Sequence, residues 1–283
     1  MCITIQPAKL SNTLIYAGEA YHPEDQRYIH VMAYQNRATN LADRPNAMVL
    51  PIPAKAHMGP ENTINMVGYE DLLKDLSKPL RNMNKNRSYG SRGITKALVF
   101  DVGSYTVVLA TRAEDAIDAI SEVPTEKRPK LNREVFKAFS EWYPDWPIAI
   151  CCWNGAIQPE PLLWWYEPLD PKNLFYPAVD AHDGKAPDLK KDVKRDHTLI
   201  VGSTIHPFGI HSRVSDLGPA KGFISDSVWG RALEGADFNR DFTVSVPKLR
   251  TLENVKGARD MHARLDSNIW DVEFTHYNPA RAQ

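Results

Sequence analysis

The chain has few cysteines and no long apolar run. Its 283 residues include three cysteines, two of which are the neighbours Cys151 and Cys152, and adjacent cysteines rarely reach the geometry that a disulfide needs. We therefore expect no disulfide framework. No segment approaches the roughly 20 apolar residues that cross a bilayer. The N-terminus also lacks the basic start and apolar run of a signal peptide. Together these absences predict a cytoplasmic protein with no membrane contact.

An excess of charge of either sign is also missing. The 34 basic and 35 acidic residues nearly cancel, so no global field attracts nucleic acid or an anionic membrane. Hydrophobic residues make up 43% and charged residues 24% of the chain, which is ordinary globular composition and excludes a wholly disordered chain. The partner and the oligomeric state stay open at this point.

Short apolar segments separated by turn residues predict an α+β fold of mainly antiparallel sheet with packed helices. The first strands follow one another too closely for crossover helices, which predicts an antiparallel meander. The expected strands are 2–6, 13–17, 28–34, 47–52, 97–102, 105–110, 148–153, 162–166, 198–205, 242–246 and 269–274. The expected helices are 68–80, 113–123, 132–142 and 225–233.

A lysine-rich segment, 180–196, is the clearest change of composition along the chain. It contains Gly184 and Pro187, which are residues typical of loops. We expect it to be a charged excursion or linker after an α+β core domain, 1–179. Residues 197–283 then form either a second part of that domain or a small α+β subdomain.

Cys2 is the candidate catalytic residue. Methionine before a small residue is normally removed, and a cysteine at the new N-terminus carries both a nucleophilic sulfur and an α-amine that can act as its base. That amine titrates near neutral pH, so it needs no partner histidine. The opening, up to Glu19, resembles the N-terminal-nucleophile hydrolases, such as the class II glutamine amidotransferases and the bile-salt hydrolase group. It departs from the latter group at Glu19, where those enzymes have arginine after the glycine.

That resemblance implies a thiol-dependent amide hydrolase that acts on the carbon–nitrogen bond of a small amide. The oxyanion would need preorganised donors, for which the candidates are Asn36, Asn12 and Asn46. Asn36 is the first choice because it ends a strand that could pair with the strand of Cys2. Arg37 and Arg44 are candidates for holding a substrate carboxylate.

The alternative is a non-catalytic binding or structural protein in which Cys2 is a small apolar residue of a buried first strand. No serine, histidine and carboxylate set can be assembled from spacing alone, which favours this reading.

A wider set of segments resembles an uncharacterised bacterial family, a domain of unknown function. Its secreted members open with a cysteine after the signal peptide. The similar residues, in the same order, are Cys2, Ala8, Lys9, Leu10, Asn12, 34–36, 46–53, 102–109 and 113–120. This chain lacks their signal peptide and most of their later cysteines, which fits a cytoplasmic version. The resemblance implies a shared fold and no particular activity.

A basic loop follows the first expected helix. It holds Lys78, Arg81, Lys85, Arg87 and Arg92 among asparagines, serines and glycines. The segment 88–96 contains glycines and a lysine but fails the P-loop pattern, because Thr95 precedes Lys96 and Ala97 follows it. We interpret the loop as flexible surface, with a local contact to phosphate or nucleic acid as the alternative.

Two further groups of residues could form sites. Acidic residues and histidines occur at Asp180, His182, Asp183, Asp196, His197, His206 and His211. Their spacing places no two ligands on one helical face, so we expect neither a metal nor a cofactor. An aromatic region spans 142–166, and it is interpreted as core, with a carbohydrate or peptide surface as the alternative.

Overall fold

The computed structural model of the chain describes residues 2–55, 58–80, 99–157, 159–212, 214–251 and 272–281. Its strands are β1 (Cys2–Thr4), β2 (Ala8–Tyr21), β3 (Tyr28–Asn40), β4 (Asn46–Pro51), β5 (Thr63–Ile64), β6 (Val99–Val102), β7 (Tyr105–Ala110), β8 (Ile148–Trp153), β9 (Ala156–Ile157), β10 (Leu162–Tyr166), β11 (Asn173–Tyr176), β12 (Asp180–Ala181), β13 (Asp192–Ser203), β14 (Ile210–His211), β15 (Ser227–Phe238), β16 (Asp241–Ser245) and β17 (Thr275–Tyr277). The helices are α1 (Leu72–Ser77), α2 (Ala116–Ala119), α3 (Arg133–Trp142) and α4 (Val246–Arg250). Short 3-10 turns occur at Pro60–Asn62, Lys78–Leu80, Ile120–Glu122, Gly218–Ala220 and Pro279–Arg281.

One sheet has six strands in the order β12-β1-β4-β8-β7-β6. The pair β1·β12 is parallel, and the other pairs are antiparallel. Strand β8 lies in the middle of this sheet, and all six of its residues are buried. Its unbroken apolar run is typical of a strand that is covered on both faces.

A second sheet has eight strands in the order β14-β15-β13-β2-β3-β10-β5, with β9 also pairing with β3. The central pair β2·β13 is parallel, with Ile15 opposite Leu199, whereas its neighbours are antiparallel. The register of β2 against β3 shifts between Ser11 and Leu14. At this irregularity Asn12 has a φ of 54°, a conformation that asparagine tolerates better than most residues.

A third, small sheet has the order β11-β16-β17 and packs beside α3. The Oδ1 atom of Asn132 accepts a hydrogen bond from the backbone N–H of Glu134 at 3.0 Å and so caps the start of the helix. The apolar face of α3 buries Val135, Phe136, Ala138 and Phe139. Beyond the helix end, the Tyr143 ring contacts the Phe175 ring of β11, with centroids 6.5 Å apart.

The main core lies between the two large sheets. Met48 and Val107 of the six-stranded sheet belong to the same buried cluster as Tyr34 and Trp164 of the eight-stranded sheet. The other face of the eight-stranded sheet is covered by α1, whose buried Leu73 and Leu76 share a cluster with Tyr16 and Ile200. Both faces of the central strands are therefore buried.

The aromatic region is mainly core, as interpreted from the sequence. Tyr143, Trp153, Trp164 and Tyr166 are at most 1% exposed, and Trp165 is 7% exposed. Trp142 and Trp146 are partly buried and pack against the main core.

The expectation of a sheet-rich, mainly antiparallel fold is confirmed. The helices, however, are few and short: of the helix expected over 68–80, only Leu72–Ser77 is α-helical and Lys78–Leu80 is a 3-10 turn. The prediction that the first four strands form one antiparallel meander is wrong, because β1 and β4 join one sheet while β2 and β3 join the other. Spacing along the chain predicts that neighbouring strands are antiparallel, but it does not identify the sheet that each strand enters.

The helix expected over 225–233 is also wrong. This segment belongs to β15, which pairs with β13 from Val228 opposite Gly202 to Phe238 opposite Asp192. At Gly230 a Cβ would clash with the carbonyl oxygen of Leu199, so this glycine permits close strand pairing. Long-range pairing thus outweighs the local pattern.

Three expectations concern the remaining segments. Residues 180–196 contain β12 and the first part of β13, so this segment contributes to both large sheets. Of the strand expected over 269–274, residues 269–271 lie outside the described residues, and the nearby strand is Thr275–Tyr277. Within the described ranges, no helix combines the length and apolar character needed to cross a membrane.

Candidate functional site

Cys2 begins β1, which has a neighbour on each side. Ile3 lies opposite Val49 of β4, and on the other side Cys2 itself lies opposite Asp180 of β12. Adjacent strands lie about 4.8 Å apart, so the backbone of Asp180 is the immediate neighbour of the Cys2 backbone.

Asp180 is held in place and contacts a histidine. Its backbone N–H donates to Asn239 Oδ1 at 2.7 Å, and its carbonyl oxygen accepts from Asn239 Nδ2 at 2.9 Å. Its carboxylate Oδ1 lies 2.6 Å from His182 Nε2. The Asp180 side chain is 8% exposed and that of His182 is 32% exposed. A carboxylate that orients an imidazole is the arrangement by which histidine bases are positioned in hydrolases.

The other two cysteines are part of the core. Cys151 and Cys152 are free and fully buried in β8. Burial raises the pKa of the Cys151 thiol well above its usual range, and it raises that of Cys152 to about 12. Because the thiolate is the nucleophile, neither side chain is suited to catalysis.

Asn46 hydrogen-bonds the backbone of the residues that follow β1. It is fully buried, its Oδ1 accepts from the Gln6 N–H at 3.0 Å, and its Nδ2 donates to the Gln6 carbonyl at 3.0 Å. The same Nδ2 lies 3.3 Å from the Pro7 carbonyl oxygen and 3.2 Å from Asn40 Oδ1. This amide therefore joins the start of β4 to the chain that leaves β1.

Asn36 lies in the core between the large sheets. Its Nδ2 donates to the Tyr34 hydroxyl at 3.2 Å, and its Oδ1 accepts from the Tyr105 hydroxyl at 3.5 Å. The strand that carries it, β3, pairs with β2, β9 and β10, whereas β1 pairs with β4 and β12. The pairing between β3 and β1 that made Asn36 the first choice is therefore not formed.

Asn12 lies in the other sheet, at the irregularity of β2. Its backbone N–H donates to Asp196 Oδ2 at 2.6 Å. The three asparagines are thus distributed over both large sheets, and only Asn46 contacts the chain that follows β1.

The two predicted substrate arginines lie in different places. Arg37 is exposed on β3, opposite Ser11 of β2. Arg44 lines a cleft of about 460 Å³, whose walls are Ile5, Gln6, Pro7, Arg44, Lys130, Leu131, Asn132, Arg133, Asp183 and Gly184. This cleft starts three residues after Cys2 along the chain, or about 10 Å at the rise of a strand.

Lys130, Asn132 and Arg133 are cleft residues that were not among the predicted site residues. A local signal is present, because Asn132 precedes a helical pattern and two basic residues lie within two positions of it. Their approach to Gln6 and Gly184 is a long-range contact that the sequence pattern does not contain.

Most of the basic loop lies outside the described residues, including Arg81, Lys85, Arg87, Arg92 and the segment 88–96. Of its basic residues, Lys78 is described, and its Nζ forms an ion pair with Asp75.

No family model matches the chain, and no curated protein sequence is similar to it. Among solved structures, it is similar to the crystal structure of baculovirus P35, with 12% sequence identity and a TM-score of 0.43. The likeness covers 89% of this chain and 92% of that chain.

Proposed function

We propose that this chain is a non-catalytic binding protein. The observation that carries the proposal is the engagement of Asn46, whose amide hydrogen-bonds the backbone of Gln6 through both its oxygen and its nitrogen. An oxyanion donor has to point at the place where charge develops during the reaction. The Asn46 amide instead holds two strands together.

The other proposed donors support the same reading. The Asn36 amide contacts Tyr34 and Tyr105 inside the core, where it is 2% exposed. Asn12 belongs to the eight-stranded sheet, whereas Cys2 belongs to the six-stranded sheet. An acyl-transfer site needs its nucleophile and its donors around one reacting atom, and these residues are distributed over two sheets.

The second candidate is a thiol-dependent amide hydrolase. One specific observation favours it: Cys2 lies in register with Asp180, whose carboxylate is 2.6 Å from His182 Nε2. In this reading the Cys2 thiol, after removal of Met1, adds to the amide carbonyl, the carbon–nitrogen bond breaks to leave a thioester, and water then hydrolyses the thioester. The α-amine or His182 accepts the thiol proton and passes it to the leaving amine.

The deciding experiment combines intact mass with a turnover assay. The purified protein is weighed to establish whether Met1 is retained, and a panel of small amides is incubated with the parent, Cys2→Ala and Cys152→Ala. The binding proposal predicts no amide turnover that depends on Cys2. Turnover that is lost in Cys2→Ala but kept in Cys152→Ala would establish the hydrolase instead. Retention of Met1 would block the α-amine and rule out its role as the base.

We further propose kinship with the uncharacterised bacterial family, cytoplasmic residence, and a local nucleic-acid contact through the basic loop. For the organisation of the chain we propose the division into 1–179, 180–196 and 197–283, and an α+β class with packed helices.

A further inference from the structure

We propose that the cleft beside β1 binds a small multivalent oxyanion, a compact ligand that carries carboxylate or phosphate groups. The inference rests on the proposed function, since it names the ligand class of a binding protein. Its site is the cleft of about 460 Å³ between the chain that leaves β1, the connection from β3 to β4, and the start of α3.

Positive charge converges on this cleft from separate parts of the chain. Arg44 comes from the connection before β4, whereas Lys130 and Arg133 flank Asn132 at the start of α3. Among the lining residues, Asp183 alone is acidic, and its carboxylate lies 3.8 Å from the Lys185 ammonium. The three lining cations and Lys185 outnumber the two carboxylates that they face, Asp183 and the Asp43 partner of Arg44. The excess produces a positive potential, which a bound anion would relieve.

The cationic side chains of the cleft have N–H groups that are available to a ligand. The ion pair of Arg44 with Asp43, at 3.0 Å, uses Nε, and a guanidinium carries further N–H donors on its two terminal nitrogens. Within the described residues, Lys130 and Arg133 form no ion pair, and both are exposed. An oxyanion placed between them and Arg44 would accept charge-assisted hydrogen bonds from both sides.

The walls of the cleft are linked to one another, so the site is formed before a ligand arrives. Gln6 Nε2 donates to the Lys130 carbonyl at 3.0 Å, and Asn132 Nδ2 donates to the Gly184 carbonyl. The Asn46 amide also hydrogen-bonds the N–H and the carbonyl of Gln6, which holds this wall in place. Binding to such a site orders the cationic side chains but requires no rearrangement of the backbone walls.

The size of the cleft selects a compact ligand. Its volume lies in the range of about 300 to 1,000 Å³ that small-molecule sites occupy. Leu131, which is partly exposed, adds apolar surface for a short carbon skeleton. A ligand with two or three anionic groups would therefore reach the cations at both sides.

The test is calorimetric titration of the full chain at low ionic strength with citrate and, separately, with pyrophosphate. We expect at least one anion to bind, and we expect added salt to weaken the binding. Binding of citrate alone identifies a carboxylate ligand, and binding of pyrophosphate alone identifies a phosphate ligand. If neither anion binds, the proposal is overturned.

Variants locate the site. Lys130→Gln combined with Arg133→Gln should weaken binding roughly tenfold or more, since hydrogen bonds to charged groups contribute about 1.5 kcal/mol or more. The matched control, Lys137→Gln with Lys172→Gln, removes the same net charge outside the cleft and should keep the parent affinity. Equal weakening in both double variants would overturn the proposal. Arg44→Gln is the independent variant should the first fail to fold, and an unchanged affinity there would also overturn it.

The two proposals fail separately. Amide turnover that depends on Cys2, together with intact anion binding, would overturn the non-catalytic function and leave the cleft in place. Absence of anion binding together with absence of turnover would overturn the cleft alone.

Discussion

The hydroxyl of Tyr143 donates a hydrogen bond to Oδ2 of Asp241 across 2.6 Å in the interior. The other carboxylate oxygen of Asp241 accepts from the backbone N–H groups of Ala178 and Val179, at 2.7 and 2.9 Å. One buried carboxylate thus joins the end of α3, the chain before β12, and β16. Burial raises the pKa of Asp241, and burial beside this carboxylate raises that of Tyr143.

The first prediction concerns this bond. Tyr143→Phe removes one of the three donors and leaves a buried oxygen of Asp241 without that partner, which should lower the free energy of unfolding by about 1–3 kcal/mol. Urea denaturation followed by circular dichroism measures the change. The control is Tyr28→Phe, because Tyr28 is 62% exposed and should keep the parent value. Matching midpoints for Tyr143→Phe and the parent would contradict a stabilising role for this hydrogen bond.

The second prediction concerns Asn46. Asn46→Ala removes the amide that hydrogen-bonds both the N–H and the carbonyl of Gln6, and we expect a loss of about 2–4 kcal/mol in the free energy of unfolding. Asn154→Ala, at an exposed asparagine, is the control and should have little effect. If Asn46→Ala is as stable as the parent, this amide is not needed for the fold. That result would favour Asn46 as an oxyanion donor again.

Local patterns in the sequence identified many elements but not their arrangement. Strands β8 and β10 coincide with the predicted segments 148–153 and 162–166, since each is a short apolar run bounded by proline-containing connections. The pattern also identified α3, whose apolar residues recur at helical spacing and whose start is capped by Asn132.

What the sequence could not reveal is long-range pairing. The parallel contacts Cys2 with Asp180 and Ile15 with Leu199 join residues more than a hundred positions apart. Such contacts decide which sheet a strand enters, and no local periodicity encodes them. The cleft has the same origin: Arg44 was a candidate from its position, but Lys130 and Arg133 become its neighbours only through the fold.

The third prediction concerns the two core cysteines. In a Cys2→Ala background, Cys151 and Cys152 are the only thiols, and both are fully buried with raised pKa values. We expect a soluble disulfide reagent at pH 8 to label neither in the native protein and both in denaturant. The absorbance of the thiolate that the reagent releases measures the extent of labelling. Fast labelling of the native variant would contradict the burial of β8.

The last prediction concerns pH and His30, which is 4% exposed. Burial lowers the pKa of His30 from 6.5 to about 4. The unfolded chain therefore binds a proton at this residue below pH 6.5, whereas the folded chain does so only near pH 4. Because the unfolded state binds more protons in this window, stability falls as the pH is lowered through it. Burial lowers the pKa of His197 as well, so that residue acts in the same direction.

The test compares His30→Gln with the parent by urea denaturation at pH 7.5, 6 and 5. Glutamine keeps a polar side chain but does not titrate, so the variant should lose less stability on acidification. Its stability relative to the parent should improve by ~2 kcal/mol between pH 7.5 and 5, because the slope rises to about 1.4 kcal/mol for each pH unit below pH 6.5. Asn154→Gln changes an exposed side chain that carries no titratable group, so this control should follow the parent at every pH. If His30→Gln and the parent lose stability in parallel as the pH falls, protonation of His30 does not contribute to acid unfolding.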